Sequence, residues 1–245
     1  MTGVVAIVQA RTGSSRLPRK VLLDLAGEPM LARDVNRISR AGKIDRIVIA
    51  TTTHPSDDAI VELCKERGWN WFRGHETDLL DRYYRAAGAF EADHVVRITS
   101  DCPLIDPGIV DRVIGEYLRH LPGIDYASNV NPVRTFPRGL DTEVMSAAAL
   151  EKAWHGDRNP LHREHVTQYI VRHPEIFRLH LVRNPVDLSF HRWTVDTPED
   201  LTFVRCIYDH FGNDLFTWEE VLEYLDRHPG VMEMNRHIRQ KPVPD

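Results

Sequence analysis

Residues 4–20 read VVAIVQARTGSSRLPRK: an unbroken apolar run, Val4–Val8, opens directly into a polar segment, Gln9–Lys20. A short continuous β-rich run of this kind is typical of a strand covered on both faces, as in a parallel sheet. Outward from it the pattern repeats. Strand-like segments at Arg46–Ala50, Trp69–Phe72 and His94–Ile98 alternate with helical ones. The first helix follows Pro29 and carries Leu31, Val35 and Ile38. The second starts at Ser56, Asp57 and Asp58, an N-cap with an acidic first turn, and carries Ile60, Val61 and Cys64. Two more span Asp78–Phe90 and Pro107–Leu118. Strand–helix alternation predicts βαβ units and a mostly parallel sheet with right-handed crossovers. Ligands of such sheets bind beyond the carboxyl ends of the strands. The polar segments 9–20, 51–55, 73–78 and 99–106 all fall there.

The second half is less regular. Ser128–Leu140 reads as an irregular excursion, His162–His173 as a helix, and Phe177–Val182 and Arg192–Val195 as strands. Thr197-Pro198-Glu199-Asp200 and Thr217-Trp218-Glu219-Glu220 carry helix-start signals. The reading is one α/β domain over 1–245, with roughly 128–190 forming a small inserted lobe.

The chain has 245 residues, 42% hydrophobic and 27% charged, with a formal net charge of −5. Such a balance argues against a general nucleic-acid or anionic-membrane binder, which would carry basic excess. Cys64, Cys102 and Cys206 are isolated and odd in number, so neither a disulfide framework nor a zinc site is expected. With no secretory leader pattern and no apolar stretch approaching 18 residues, a cytoplasmic protein outside the membrane is expected.

The segment Ala10–Lys20 packs four cations (Arg11, Arg16, Arg19 and Lys20) among Gly and small hydroxyl residues. Backbone N–H groups in such a loop can turn toward an anion, Arg can clamp phosphate oxygens in pairs, and Lys adds a mobile charge. Neither GxxxxGK[ST] nor GxGxxG is present, so this is not a Walker loop or a dinucleotide fingerprint. Asp101 follows a strand and faces the same region, as an Mg²⁺ ligand would. Asp196 precedes a helix start; it suits a metal or simply the helix dipole.

The string IVQARTGSSRLPRK, continued by VLLDLAGEPML, resembles the N-terminus of the cytidylyltransferases that activate acidic sugars. These are the CMP-KDO synthetase and acylneuraminate cytidylyltransferase relatives, and above all the spore coat polysaccharide biosynthesis protein F group. The resemblance covers nearly the whole chain. It implies a GT-A-like, Rossmann-related fold, a homodimer, Mg²⁺ as cofactor, and CTP with a small acidic acceptor as substrates. It also implies release of pyrophosphate and a place in surface polysaccharide synthesis. In the nucleotide site it points to Ala10, Arg11, Ser15, Arg16 and Lys20, with Arg16 and Lys20 stabilising charge on the transferring phosphoryl group. The D-x-P-L segment at Asp101 and the D-T-P-E-D-L segment at Asp196 resemble the metal-holding pair, and Asp101 also belongs to the nucleotide site. Arg73 and Gly74, before D-L-L-D-R, match a stretch that holds base and ribose. Asp141 and Glu143 in P-R-G-L-D-T-E, two apart on an expected strand, and Arg163 and His165 in R-E-H-V-T, are expected at the acceptor. Pro198 stands where the sialate enzymes often carry an acid, which brings the chain nearer the KDO branch. Two other readings fit the residues: a nucleotide-sugar-dependent glycosyltransferase, and a non-catalytic nucleotide-binding homologue.

Overall fold

The first apolar run forms β1 (Val4–Gln9). Val4, Ala6 and Val8 enter one buried cluster and Val5 and Ile7 the other, as the alternation of a strand requires. The computed structural model describes residues 3–240. A two-residue hairpin, β2 (Asp24–Leu25) and β3 (Glu28–Pro29), leads into α1 (Met30–Ile38). Then follow β4 (Arg46–Thr52), α2 (Asp58–Arg67), β5 (Asn70–Gly74), α3 (Leu79–Ala89), β6 (His94–Thr99) and α4 (Pro107–Arg119). The second half supplies β7 (Tyr126–Ser128), β8 (Glu143–Ser146), α5 (Ala147–Gly156), α6 (Pro160–Arg163), α7 (Gln168–Arg172) and β9 (Leu179–Leu181). It ends in α8 (Pro198–Phe211), α9 (Trp218–Arg227) and α10 (Pro229–Met232).

The central sheet has the order β5-β4-β1-β6-β8-β7-β9. β5, β4, β1 and β6 are parallel, β8 runs antiparallel to β6 and β7, and β7 pairs parallel with β9. The chain steps outward from β1 through β4 to β5, then returns to lay β6 on the other side of β1. The loops leaving β1 and β6 therefore diverge, and a crevice opens between them at the carboxyl ends. Helices α1, α2, α4, α8 and α9 pack on one face, and α3, α5 and α7 on the other. The Tyr83 hydroxyl, fully buried, stands 3.0 Å from the Ile7 carbonyl and 3.3 Å from that of Ile98, at the β1–β6 seam.

The expected capping boxes form at both Thr197/Asp200 and Thr217/Glu220. Three expectations change. His162–His173 is two short helices, because the chain passes through the left-handed region at Val166 (φ 58). That conformation is costly for a β-branched residue; it is offset by full burial of Val166 and by the 2.8 Å bond from the Thr167 hydroxyl to Glu143. The Phe177–Val182 strand shrinks to Leu179–Leu181. Arg192–Val195 is extended but not a strand, since among the described residues its only bridge is Arg192 to Arg138. The three cysteines are free thiols. Among the described residues no helix is long and apolar enough to cross a membrane.

Candidate active site

A cavity of about 630 Å³ occupies the crevice beyond β1 and β6. It is walled by the loop 10–20, by 99–102, by the irregular segment 130–141, by 164–168, and by Thr194 and Asp196. Ala10, Arg11, Ser15, Arg16, Lys20, Asp101, Asp141, Glu143, His165 and Asp196 all line it.

The loop after β1 is fastened from below. Asp57 accepts from both the Thr12 amide (2.7 Å) and the Thr12 hydroxyl (2.6 Å), and its other oxygen accepts from Thr52. Burial works against the Asp57 carboxylate, but the Thr12 and Thr52 hydrogen bonds prevail and hold its pKa below the ordinary value. Asp57 is thus not just an acidic helix start. It ties the loop of β1 to the loop of β4. The Thr12 carbonyl in turn accepts from the Arg19 amide at 3.0 Å, folding the loop back so that Lys20 begins a 3-10 turn aimed at the cavity.

Lys20 brings the two predicted acids together. Its ammonium lies 2.9 Å from Asp101 Oδ2, 2.9 Å from Asp196 Oδ1 and 2.7 Å from the Val195 carbonyl. Arg16 reaches the same Asp196 oxygen at 2.9 Å. Burial disfavours the Lys20 charge, yet Asp101 and Asp196 outweigh it and raise its pKa. Reciprocally, burial is overcome by Lys20 and the Asp101 pKa is lowered. The second acid is set by its own neighbours. Asp200, fully buried, accepts from the amides of Asp196 (3.0 Å) and Thr197 (3.1 Å) and from Arg192 (2.8 Å to each oxygen). Arg192 also touches Asp196 Oδ2 at 3.1 Å. The Val195 amide and the Thr194 hydroxyl bind the Asp101 carbonyl at 2.8 and 3.1 Å, lacing the two acid-bearing segments side by side. Two carboxylates converging on one cation form the all-oxygen donor pair that a hard divalent ion takes.

On the other wall, acids and cations are already matched. Glu143 is buried and holds Arg97, the Tyr126 hydroxyl and the Thr167 hydroxyl. Asp141 holds Arg134 through both oxygens and accepts from the Gly139 amide at 3.2 Å. Asp141 does not share a strand with Glu143, because β8 begins only at Glu143, after the left-handed turn at Gly139 (φ 111). His165 sits in the turn between α6 and α7 rather than within a helix; burial, then Arg97, lowers its pKa, so the imidazole is neutral near pH 7. Cys102 lines the cavity too, but burial and then Asp101 push its thiol far up.

Three expected site residues stand outside the lining. Arg73 donates to the Thr52 and His54 carbonyls at 2.8 and 3.0 Å and pairs with Asp58 at 2.6 Å. Gly74 makes room for Arg82: a Cβ there would meet Arg82 Cγ at 2.7 Å. Arg163 pairs with Asp78 at 2.8 Å and donates to the Trp154 and Asp157 carbonyls, joining α5 to the start of α3. Conversely, Arg82, not among the expected site residues, is buried, lines the cavity, and donates to the carbonyls of His75 and Glu76. Sequence reasoning also missed Arg134 and Arg138, whose only signal was their four-residue spacing in an irregular stretch. Among the described residues no acid or carbonyl holds the Arg138 side chain, unlike the other six Arg and Lys side chains of the lining. Its backbone is firmly set, with the Arg138 carbonyl accepting from Trp193 at 2.7 Å and its amide donating to His191 at 3.0 Å.

The family model described as Cytidylyltransferase matches residues 5–205. The uncharacterized protein MJ1063 of Methanocaldococcus jannaschii is 38% identical over 97% of this chain and 96% of its own. The spore coat polysaccharide biosynthesis protein SpsF of Bacillus subtilis is 32% identical over 94% of this chain and 96% of its own. The 3-deoxy-manno-octulosonate cytidylyltransferase of Geobacter sulfurreducens is 25% identical over 97% and 85%. Among solved structures, a cytidylyltransferase from Leptospira borgpetersenii superposes with a TM-score of 0.92 at 32% identity, over 98% of this chain and all of that one.

Proposed function

Since this chain belongs to the cytidylyltransferase family and is a CTP-using nucleotidyltransferase, we propose that it transfers CMP to a small acidic sugar with release of pyrophosphate. The observation that carries the proposal is the meeting of Lys20, Arg16, Asp101 and Asp196 in one crevice, with the uncommitted Arg138 on the segment beside them. The acceptor hydroxyl attacks the α-phosphorus in line. A new O–P bond forms, the bond to the bridging oxygen breaks, and pyrophosphate leaves. Such chemistry is positioning and charge stabilisation, with no enzyme nucleophile. The raised Cys102 thiol agrees with that.

Asp101 and Asp196 are the residues that would hold Mg²⁺, which would offset the negative charge of the phosphates. Lys20 and Arg16 neutralise the two carboxylates in the free enzyme. On CTP binding the same two cations would turn from carboxylate to phosphate, so binding exchanges ion pairs rather than stranding buried charges. Neutral His165 is the lining group suited to accept the hydroxyl proton. Arg138 would anchor the acceptor's carboxylate, with Arg134, which Asp141 holds, beside it in the lining. The activity named for the Geobacter relative supports a sugar acid as acceptor, and the name of the Bacillus relative supports a place in surface polysaccharide synthesis.

A pyrophosphate-release assay of ATP, GTP, CTP and UTP against sugar acids and their neutral counterparts tests this. Release is expected with CTP and only with a carboxylate-bearing acceptor. Equal release with neutral sugars, or release with UTP or ATP alone, would refute the assignment. A nucleoside diphosphate as product would instead mark a glycosyltransferase.

A further inference from the structure

Apart from the crevice, the C-terminal turn of α4 and the edge strand β9 bring together Glu116, His120 and His180. Glu116 and His120 are one turn apart and share a helix face. The rings of His120 and His180 stack with centroids 4.3 Å apart, and His180 Nε2 lies 3.7 Å from Glu116 Oε2. One donor atom from each residue lies within 4.8 Å of the other two. His120 Nδ1 is 2.8 Å from the Glu116 carbonyl, a bond that places the proton on Nδ1 and leaves Nε2 a lone pair. His173 and His228 cap their helices with the same bond, so the cap alone signals nothing. What sets His120 apart is the second imidazole and the carboxylate.

We propose that Glu116, His120 and His180 form a transition-metal site of the zinc class. Two imidazole nitrogens and one carboxylate oxygen are a donor set that Zn²⁺ accepts and Mg²⁺ does not prefer. Tetrahedral Zn²⁺ holds N and O donors about 3.4 Å apart. The ring nitrogen of His120 nearer Glu116 Oε2, at 3.8 Å, is the carbonyl-bonded Nδ1, so closing on an ion takes rotation of the exposed His120 ring out of its stack to bring Nε2 round. Arg119 engages Glu116 through Oε1 at 2.7 Å, which leaves Oε2 as the ligand oxygen. The ion would fasten β9 to α4. α4 follows the Asp101–Asp106 segment, and β9 leads toward the segment ending in Asp196, so the role is structural support for both acid-bearing stretches.

The test is calorimetric titration of EDTA-stripped full-length protein with ZnCl₂, with thermal unfolding alongside. One Zn²⁺ per chain and a rise in Tm are expected in wild type and in Asp101→Asn, and both effects are lost in His120→Ala and His180→Ala. Co²⁺ should give the visible absorption of a tetrahedral site in the same variants that bind Zn²⁺. Absence of binding overturns the proposal. So does an isotherm unchanged by His180→Ala, or one lost in Asp101→Asn but kept in the His variants. His180→Gln, checked by circular dichroism for its fold, guards against loss through unfolding.

Discussion

Gly139→Ala isolates the joint between the acceptor wall and the acid pair. Gly139 has φ 111, and a Cβ there would stand 2.8 Å from the Trp193 carbonyl carbon and 3.0 Å from the Thr194 nitrogen, both backbone atoms. Backbone cannot swing aside as a side-chain tip can. Holding alanine at that φ costs about 1–3 kcal/mol, and relieving the overlap about as much again. The sum is about 4 kcal/mol, or roughly 12 °C of Tm for a chain of this size. Gly212→Ala is the control, since Gly212 has φ 67 but nothing within 4 Å of its Cβ. It should cost only about 1–2 kcal/mol. The relief at Gly139 must push Trp193 and Thr194 away, and with them the Val195–Asp101 bond that sets the two acids abreast. Gly139→Ala should therefore lose about a hundredfold in kcat/KM, as misplacement by about 1 Å does, while Gly212→Ala keeps its activity. Thermal unfolding and steady-state pyrophosphate release measure both. Equal Tm losses with equal, wild-type activity would refute the reasoning.

Removing the loop anchor in Asp57→Ala should leave the Thr12 and Thr52 donors unpaired and cost about 2–4 kcal/mol by chemical denaturation, with a raised KM for CTP. Arg138→Ala should raise the acceptor KM about tenfold or more while leaving the CTP KM alone, with Arg138→Lys between the two; an unchanged acceptor KM would remove Arg138 from the site. Asp34 is fully buried with neither carboxylate oxygen hydrogen-bonded among the described residues, and burial, then Asp101, raises its pKa well above the ordinary value. A raised carboxyl pKa means the folded state holds the proton more tightly, so stability falls as pH rises above about 4, the unfolded value. Asp34→Asn should accordingly raise Tm at pH 7 and lose that gain below about pH 4; a pH-independent difference would contradict it.

Much of the fold was legible because β1 and β4 hold continuous apolar runs and β6 one interrupted only by Arg97, and a strand covered on both faces has few other ways to be written. The pairing of Asp101 with Asp196 was legible through the resemblance of their two segments to a metal-holding pair; position alone set only Asp101 against the basic loop and left Asp196 open between a metal ligand and a helix-start acid. What was not legible depends on partners distant in sequence. Arg73 and Arg163 carry the same charge as Arg138, but Asp58 and Asp78 claim the first two, and nothing local announces those pairings. Asp57 reads as a helix-start acid until β4 and the loop of β1 bring Thr52 and Thr12 against it. The break at Val166 runs against the preference of a β-branched residue, and only its burial and the Thr167–Glu143 bond sustain it. Arg192–Val195 has the composition of a strand, but the Trp193 and Val195 amides donate to the Arg138 and Asp101 carbonyls, and the Arg192 and Val195 carbonyls accept from the Asn235 and Lys20 side chains, rather than entering a ladder.

The central claim is that the Lys20–Asp101–Asp196 cluster is where cytidylyl transfer happens. The most direct measurement is kcat for CTP consumption by Asp101→Asn at saturating Mg²⁺ and acceptor, with the fold verified. Loss of a ligand whose charge acts at the transferring phosphoryl group removes several kcal/mol, so a fall of about a thousandfold or more is expected. Turnover near that of the wild type would contradict the account.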